Sequence, residues 1–417
     1  MQKWLRWEII ERCIGRSHKS FHSSRLAYTC IATIAIAAFF AVLQVHAATH
    51  TTTQPATVAT MPASSQPAGD SSNGKLSSDG SFNGHPRLLY GCNFIPAKWN
   101  RYDAARDEYS FEKIREMGGT HTWVELGWES IENQPGQWSF KDPDRYVELM
   151  RKRQLEPIGY MGRTPEWALP ESAKNNPQAY YRVPADEKYE REFIRYCKQV
   201  ATRYRGKIKY YQFWNEPNGC GWVQDNCRNM DQYALYTRWM IVWYKAMKEA
   251  DPDCVLGGGV IDYPVGLPDG YKYLEGMYQS GAKDHMDAVS IHPYDKRGGT
   301  LHWQAILDTR RVMVEHGDGD KPIWITEYGW QTVDEANKVR RLTEVLTALN
   351  NPEYAYVTIA TYLSLNDPPN ERDFGLCHDD LSPRQSYDAF KAFTSKNRSD
   401  KNLALTQPAS TQPYRSP

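Results

Sequence analysis

Residues 186–215 read DEKYEREFIRYCKQVATRYRGKIKYYQFWN and place a helix directly before a strand. From Tyr189 to Tyr204 the large apolar residues fall three or four positions apart, which is the spacing of one helix face. Gly206 ends that pattern, as glycine does at helix ends. The β-prone run 210–215 follows at once. We therefore predict one helix and one strand joined by a short turn.

The same alternation recurs along the chain. Seven further β-prone runs are separated by amphipathic segments, at 88–94, 120–126, 157–161, 255–258, 288–292, 323–327 and 357–363. Alternating strands and helices favour a parallel sheet, and eight repeats in about 250 to 310 residues fit a closed (β/α)8 TIM barrel, an α/β fold. An open doubly wound sheet is the alternative, but the glycine-rich nucleotide turn that it would carry does not occur in the sequence.

The two ends of the chain differ from this pattern. Between 26 and 69 there is no Asp, Glu, Lys or Arg, and an apolar run follows basic residues, so 1–47 is expected to be a signal peptide or an uncleaved membrane anchor. Residues 48–85 are rich in Thr, Ser and Pro and predict a flexible linker, and 396–417 predict a disordered polar tail. The remaining 86–395 are expected to form a single domain.

The balance of acidic and basic residues argues against binding to nucleic acid or to an anionic membrane surface. The 417 residues carry 50 basic and 50 acidic side chains, with 14 Trp, 27 Tyr and 12 Phe. A net charge of zero gives no attraction to nucleic acid or to an anionic membrane surface, so we expect no nucleic-acid partner and membrane contact only through the N-terminal segment. The abundant aromatic rings suit flat sugar faces, but they also suit a large core.

Two glutamates follow strands at the barrel edge where active sites of this fold lie. Glu216 comes after the run 210–215 and before Pro217, and the proline favours extended geometry at Glu216. Glu327 ends the run 323–327, where alternation puts Ile323 and Glu327 on one face, predicted to fill the barrel. If the two carboxyl groups lie roughly 5 Å apart, their repulsion is about 3 kcal/mol, which keeps one protonated near neutral pH. This pairing is what retaining glycoside hydrolysis requires.

Several motifs resemble those of clan A glycoside hydrolases, with family 39-like β-xylosidases and exopolysaccharide hydrolases as the nearest group. The matching segments cover essentially the whole domain and lie at 128–140, 164–168, 214–218, 292–294, 325–330, 374–376 and 382–390. The resemblance implies that Glu216 is the general acid/base and Glu327 the nucleophile. It also implies that Asn215 holds the sugar 2-hydroxyl and that Tyr294 hydrogen-bonds the nucleophile, with His292 in the same pocket.

The sequence departs from the clan at two places in the predicted sugar site. Trp123 stands where the clan often has an arginine, and Tyr362 stands where strand eight usually carries a sugar-stacking tryptophan. The first departure removes a positive charge that would help to keep the nucleophile ionised. Five aromatic residues are candidate sugar platforms, each weighed against core packing: Trp128, Trp167, Trp222, Trp330 and Tyr362.

Metal and cofactor chemistry have little support. The 11 histidines form neither an H-E-x-x-H nor an H-x-H motif, so we expect no metal and no cofactor, and His292 is interpreted as a hydrogen-bonded pocket residue. Cys220 and Cys227 share the loop after Glu216. A disulfide between them and two reduced thiols are equally compatible with the sequence.

The sequence thus predicts an exported, monomeric, retaining O-glycoside hydrolase that acts on a β-linked polysaccharide or oligosaccharide. We expect it to be secreted, periplasmic or anchored to the outer face of a membrane. The alternative is a catalytically silent carbohydrate-binding barrel at the cell surface, which would need the aromatic residues but not both carboxyl groups. Sugar identity and exo or endo action depend on loop shapes that the sequence does not reveal.

Overall fold

The computed structural model describes residues 88–94, 96, 105–169, 187–219, 232–263, 270–295, 299–367 and 373–399. Eight strands within them form a closed barrel in sequential order: β1 (Leu89–Cys92), β2 (His121–Glu125), β3 (Glu156–Met161), β4 (Tyr210–Phe213), β5 (Val255–Asp262), β6 (Ala288–His292), β7 (Ile323–Tyr328) and β8 (Val357–Tyr362). Every neighbouring pair is parallel, and β8 returns to pair with β1. The predicted (β/α)8 barrel is confirmed.

Helices connect the strands. They are α1 (Ala105–Glu116), α2 (Trp128–Ile131), α3 (Lys141–Lys152), α4 (Glu190–Tyr204), α5 (Gln232–Ala250), α6 (Gly270–Gln279), α7 (Trp303–Glu315), α8 (Glu335–Leu349) and α9 (Gln385–Ser399). Helix α4 buries the predicted stripe, including Phe193, Tyr196 and Val200, against the sheet. No helix in the described part of the chain is long and apolar enough to cross a membrane.

The barrel interior is filled by side chains and is not a pore. Ile158, Tyr210, Trp324 and Ile359 form one buried cluster there. Gly257 makes room for Trp324, since a Cβ at this glycine would lie 2.6 Å from the indole ring. Close packing thus explains Gly257, and likewise Gly258, where a Cβ would lie 2.5 Å from Sδ of Met240. This packed layer forms the floor of the site above it.

Strand β7 faces the opposite way from the sequence prediction. Trp324 lies inside the barrel, whereas Ile323 and Ile325 pack in the layer between sheet and helices. The predicted apolar row of Ile323, Ile325 and Glu327 filling the barrel is therefore wrong. Its error is one of parity, because a shift of one residue moves every side chain of a strand to the other face.

The packing of β1 on β2 gives a test of the interior. A Cβ on Gly91 would lie 2.2 Å from Nε2 of His121, whose Nε2 is 2.8 Å from Oγ1 of Thr361. We expect Gly91→Ala to lower the free energy of unfolding by about 2 kcal/mol through overpacking. In a His121→Ala background the same change should cost less than half as much. Urea denaturation of the four proteins measures this, and strictly additive effects would contradict the packing account.

Candidate active site

Glu216 lies just beyond β4 in a tight backbone turn. Trp214 has a φ of 66° and Glu216 a φ of 45°, so the predicted extended geometry at Glu216 is wrong. The N–H of Glu216 donates to the carbonyl of Val260 at 3.0 Å, and its carbonyl accepts from the N–H of Gly219 at 2.9 Å. These bonds outweigh the bias that Pro217 imposes. Left-handed backbone at a residue with a side chain costs free energy and is often retained at functional sites.

Strand β7 brings two consecutive side chains to the same site. Oγ1 of Thr326 lies 3.1 Å from Nε2 of His292, and Oε2 of Glu327 accepts from the Tyr294 hydroxyl at 3.0 Å. In a regular strand neighbouring side chains point to opposite faces. The pairing of β7 with β8 is irregular between Ile325 and Tyr328, and this irregularity turns Glu327 inward beside Thr326.

His292, at the end of β6, lies between the two glutamates. Its Nδ1 is 3.0 Å from Oε1 of Glu216 and 3.6 Å from Oε2 of Glu327. The nearest carboxylate oxygens and this ring nitrogen all lie within 4.8 Å of one another. The imidazole itself has no exposed surface, whereas Glu216 and Glu327 keep 18% and 22% of their side chains exposed. The carboxyl groups therefore face the cleft, and His292 lies behind them.

The site concentrates charge in a poorly hydrated place. Burial raises the pKa of Glu327 above its usual value and the charge of Glu216 adds to this, while His292 and the Tyr294 hydroxyl act in the opposite direction. For His292, burial alone would lower the pKa, but Glu327 and the hydrogen bond to Glu216 together raise it to about 9. The imidazole is therefore protonated at neutral pH and donates from both nitrogens.

The donor set also bears on metal binding. Two carboxylates and one imidazole within 4.8 Å are a group that a metal ion could use. In this structure both ring nitrogens of His292 are engaged by side chains, Nδ1 by Glu216 at 3.0 Å and Nε2 by Thr326 at 3.1 Å. The hydrogen bonds account for this arrangement of side chains.

The end of β5 contributes residues that the sequence analysis missed. It predicted that this strand ends at Gly258, but β5 runs on to Asp262 through a bulge at Val260, whose φ is 48°. Asn218 bonds the backbone of Asp262 twice: its Oδ1 accepts from the N–H at 3.0 Å, and its Nδ2 donates to the carbonyl at 2.6 Å. The motif containing Glu216 is thereby tied to the strand that follows it.

The aromatic residues predicted to stack on sugars differ in how much of their side chains is exposed. Trp128 and Tyr362 have no exposed surface, so their prediction as sugar platforms is wrong. The indole of Trp128 donates to Glu132 and stacks on Tyr196. The ring of Tyr362 points away from the barrel interior, because Ile359 and Thr361 are the residues of β8 that point inward.

The other predicted residues have mixed outcomes. Trp330 is 4% exposed and donates to the Thr300 carbonyl, while Trp167 is partly exposed and packs edge-on against Trp128. Asn215 is largely buried beside Glu216. Trp222, Cys220 and Cys227 lie outside the described residues. The four described cysteines, Cys92, Cys197, Cys254 and Cys377, are buried free thiols.

The arginine that the clan often has is replaced by an apolar contact. Trp123 packs edge-on against Tyr160 and donates its indole N–H to the Phe94 carbonyl. Among the described residues, His292 is the only basic side chain in an ion pair with Glu327. The positive charge facing Glu327 therefore comes from β6 and not from β2.

Comparison with known proteins supports the resemblance. Residues 166–372 match the family model of the glycosyl hydrolase catalytic core. This range includes Glu216, His292 and Glu327. The sequence resemblance to glycoside hydrolases is confirmed by this match. No curated protein sequence matches the chain.

Solved structures of glycoside hydrolases share the fold. A family 39 glycoside hydrolase from Bacteroides cellulosilyticus WH2 is 21% identical, with a TM-score of 0.57 over 74% of this chain and 64% of that one. An exo-β-1,4-mannosidase from Opitutaceae bacterium strain TAV5 is 14% identical, with a TM-score of 0.57 over 79% and 62%. Xylanase 10B from Thermotoga maritima is 17% identical, with a TM-score of 0.53 over 76% and 97%. The chain thus spans less than two thirds of the first two.

Replacing the ionised carboxyl group of Glu327 by a neutral group should make the folded protein more stable. A raised carboxyl pKa means that folding disfavours the ionised form, so the cost is present at neutral pH and disappears as pH falls below the ordinary glutamate value. We expect Glu327→Gln to raise the free energy of unfolding by about 1 kcal/mol at pH 7. Denaturant unfolding at pH 7 and pH 4 measures it, with exposed Glu166→Gln as control. A loss of stability at pH 7 would contradict the electrostatic account.

Proposed function

We propose that the protein is a retaining O-glycoside hydrolase that cleaves β-glycosidic bonds in a polysaccharide or oligosaccharide. The observation that carries this proposal is the approach of the Glu216 and Glu327 carboxyl groups to within 4.8 Å across the open end of the barrel. Retaining enzymes hold their two carboxyl groups about 5 Å apart, whereas inverting enzymes need about 6.5 to 9.5 Å to admit a water molecule. The short approach of the two carboxyl groups supports retention rather than inversion.

The first half of the reaction forms a covalent intermediate. Glu327, whose carboxylate is held by the Tyr294 hydroxyl and faces the His292 imidazolium, attacks the anomeric carbon as the glycosidic C–O bond breaks. Glu216 gives its proton to the leaving oxygen. His292 donates from Nδ1 to Oε1 of Glu216, which fixes that oxygen and leaves Oε2 to carry the proton.

The second half returns the enzyme to its starting state. Glu216, now a carboxylate, takes a proton from water, and the water oxygen attacks the anomeric carbon as the bond to Glu327 breaks. Two inversions at one carbon give overall retention. At an effective dielectric near 20 and 4.8 Å, repulsion between the two carboxylates is about 3 kcal/mol. This repulsion favours the state that the second half leaves behind, in which Glu216 holds the proton taken from water and Glu327 is ionised.

The roles of the two glutamates can be separated by chemical rescue. We expect Glu327→Ala to lose about 10⁴-fold or more in kcat on aryl β-glycosides, because the nucleophile is gone. Azide should restore turnover and give a glycosyl azide of inverted configuration. Glu216→Ala with azide should give a glycosyl azide of retained configuration.

Glu344→Ala, on the exposed face of α8, serves as the control and should keep full activity. Equal activity in wild type and both site variants would remove the enzyme proposal. It would leave the carbohydrate-binding barrel as the better description.

Tyr294 should control the acidic limb of the pH profile. Its hydroxyl stabilises ionised Glu327, so Tyr294→Phe should raise the pKa of Glu327 further and move the acidic limb of kcat/KM upward by about 0.5 to 1 pH unit. Tyr328 is a matched control, because it follows Glu327 directly and its buried hydroxyl has no hydrogen-bond partner among the described residues. Tyr328→Phe should leave the limb in place. A shift in the opposite direction for Tyr294→Phe would refute its role.

We also propose that the protein is exported. The support is the sequence pattern of 1–47 followed by the Thr/Ser/Pro-rich 48–85, both outside the described residues. A polysaccharide substrate is too large to be taken up whole, so an exported hydrolase would meet it outside the cell. Intact-mass analysis of the protein from cell fractions distinguishes a cleaved signal from a retained anchor.

A further inference from the structure

The inner face of β2 carries an aromatic side chain that the sequence analysis did not consider as a sugar platform. Side chains alternate along a strand, so His121, Trp123 and Glu125 share one face of β2. That face is the inner one, because Nε2 of His121 lies 2.8 Å from Oγ1 of Thr361, whose side chain points into the barrel. Trp123 therefore points into the barrel as well.

Trp123 is partly exposed, and its exposed part faces the open end of the barrel. Below it along β2, His121 is 1% exposed, and the interior cluster that includes Ile158 is buried. Water therefore reaches Trp123 from the end where Glu216 and Glu327 lie. The interior of an eight-stranded barrel is just wide enough for side chains to fill, so these three residues border one narrow opening.

Two contacts fix the plane of the indole ring. The N–H of Trp123 donates to the Phe94 carbonyl at 3.2 Å. The ring also meets the buried Tyr160 edge-on, with 5.6 Å between the ring centroids. An aromatic plane that is already held in place can receive the C–H face of a sugar ring with little further loss of side-chain freedom.

The end of β1 places a buried amide on the same inner side of the barrel. The backbone N–H of Asn93 donates to the Tyr362 carbonyl at 3.0 Å, and the Asn93 carbonyl accepts from the N–H of Leu365 at 2.7 Å. The pairing of β1 with β8 thus continues through Asn93. Alternation then puts its side chain on the inner face, together with Gly91 two residues earlier.

The side chain of Asn93 has polar atoms and no protein partner for them. Asn93 is 9% exposed, and its amide group forms no hydrogen bond with any residue that the structure describes. Buried amide groups in folded proteins nearly always have a hydrogen-bond partner, because burial without one costs free energy. Asn93 also directly precedes Phe94, whose carbonyl holds the indole of Trp123. The unpaired amide therefore lies beside the aromatic plane.

We propose that Trp123 and Asn93 bind the sugar ring that reacts between Glu216 and Glu327. The indole stacks on the C–H face of a pyranose, and the amide hydrogen-bonds one of its hydroxyl groups. The inference rests on the proposed function, because it concerns the sugar that carries the reacting anomeric carbon. Tyr362 is buried and offers no such plane, so the aromatic surface of the site comes from β2.

Two substitutions at Trp123 separate stacking from packing. Trp123→Phe keeps an aromatic face, whereas Trp123→Leu keeps an apolar side chain of comparable size without one. On aryl β-glycosides we expect kcat/KM to be about tenfold lower in Trp123→Leu than in Trp123→Phe. Trp138→Leu is the control, because this partly exposed indole packs on Phe140 and on Arg195 of α4, and it should match wild type. Equal losses in the two Trp123 variants would overturn the stacking role.

Asn93→Ala tests the amide by stability and by activity. Because the amide bonds no described residue, its removal should leave the urea midpoint of unfolding unchanged or higher. A clear fall in that midpoint would show that the amide serves folding and would contradict the proposal. With wild type, one monodeoxy aryl glycoside should react about tenfold more slowly than its parent, and Asn93→Ala should lose this difference. The same difference in both proteins at every deoxy position would also contradict it.

Binding can be measured without turnover. Isotope-labelled wild type would be titrated with methyl β-glucoside, methyl β-xyloside and methyl β-mannoside, and the indole N–H signals would be followed by NMR. The Trp123 signal, assigned from whichever Trp123 variant folds, should shift with at least one glycoside, while the Trp138 signal stays in place. No shift with any of the three would overturn the proposal.

The two proposals can fail separately. A shift of the Trp123 signal without hydrolysis of any aryl β-glycoside would remove the proposed function and leave the sugar site. Hydrolysis that is unaffected in Trp123→Leu and Asn93→Ala would do the reverse.

Discussion

The site depends on holding two carboxyl groups within 4.8 Å where water is scarce. Left alone, such a pair would repel and one member would turn out to solvent. The protein prevents this with a fully buried imidazolium that contacts both carboxyl groups, anchored from behind by Thr326. The position of His292 therefore limits where Glu216 and Glu327 can lie.

The barrel brings these residues together by departing from regular strand geometry. Left-handed backbone occurs at Trp214, Glu216 and Val260, and β7 is irregular in its pairing just before Glu327. Each departure re-aims a side chain that regular geometry would direct elsewhere. The strain is confined to the open end of the barrel, while the interior below is closely packed around Trp324. The irregular strand ends that carry the site thus lie on a closely packed barrel interior.

The sequence predicted the architecture well because its signals are local. All eight strands were found from short β-prone runs, and the helix stripe before β4 was placed correctly. The Asn-Glu-Pro and Thr-Glu-Tyr segments also indicated that Glu216 and Glu327 would meet, since parallel strands share one carboxyl edge. The strand and helix assignments needed no knowledge of side-chain parity.

The failures concern side-chain parity, irregular backbone and long-range packing. Tyr362 was placed in the cleft although it is fully buried and its hydroxyl donates to the Phe374 carbonyl. Ile323 was placed inside the barrel although it packs outside it, because a register shift of one residue reverses a strand. Asp262 was missed because a bulge extends β5 beyond its apolar run. Trp128 was assigned to a sugar although Glu132 and Tyr196 bury it, and such long-range packing cannot be read from local composition.

The most direct test of the central claim is covalent trapping of the nucleophile. Wild type would be incubated with a panel of activated 2-deoxy-2-fluoro β-glycosides, which slow the second step more than the first, and the labelled peptide would be identified by mass spectrometry. The account predicts one glycosyl group on Glu327 and none in Glu327→Gln. Hydrolysis of the matching unfluorinated glycoside with inversion, or a label on any other residue, would contradict it.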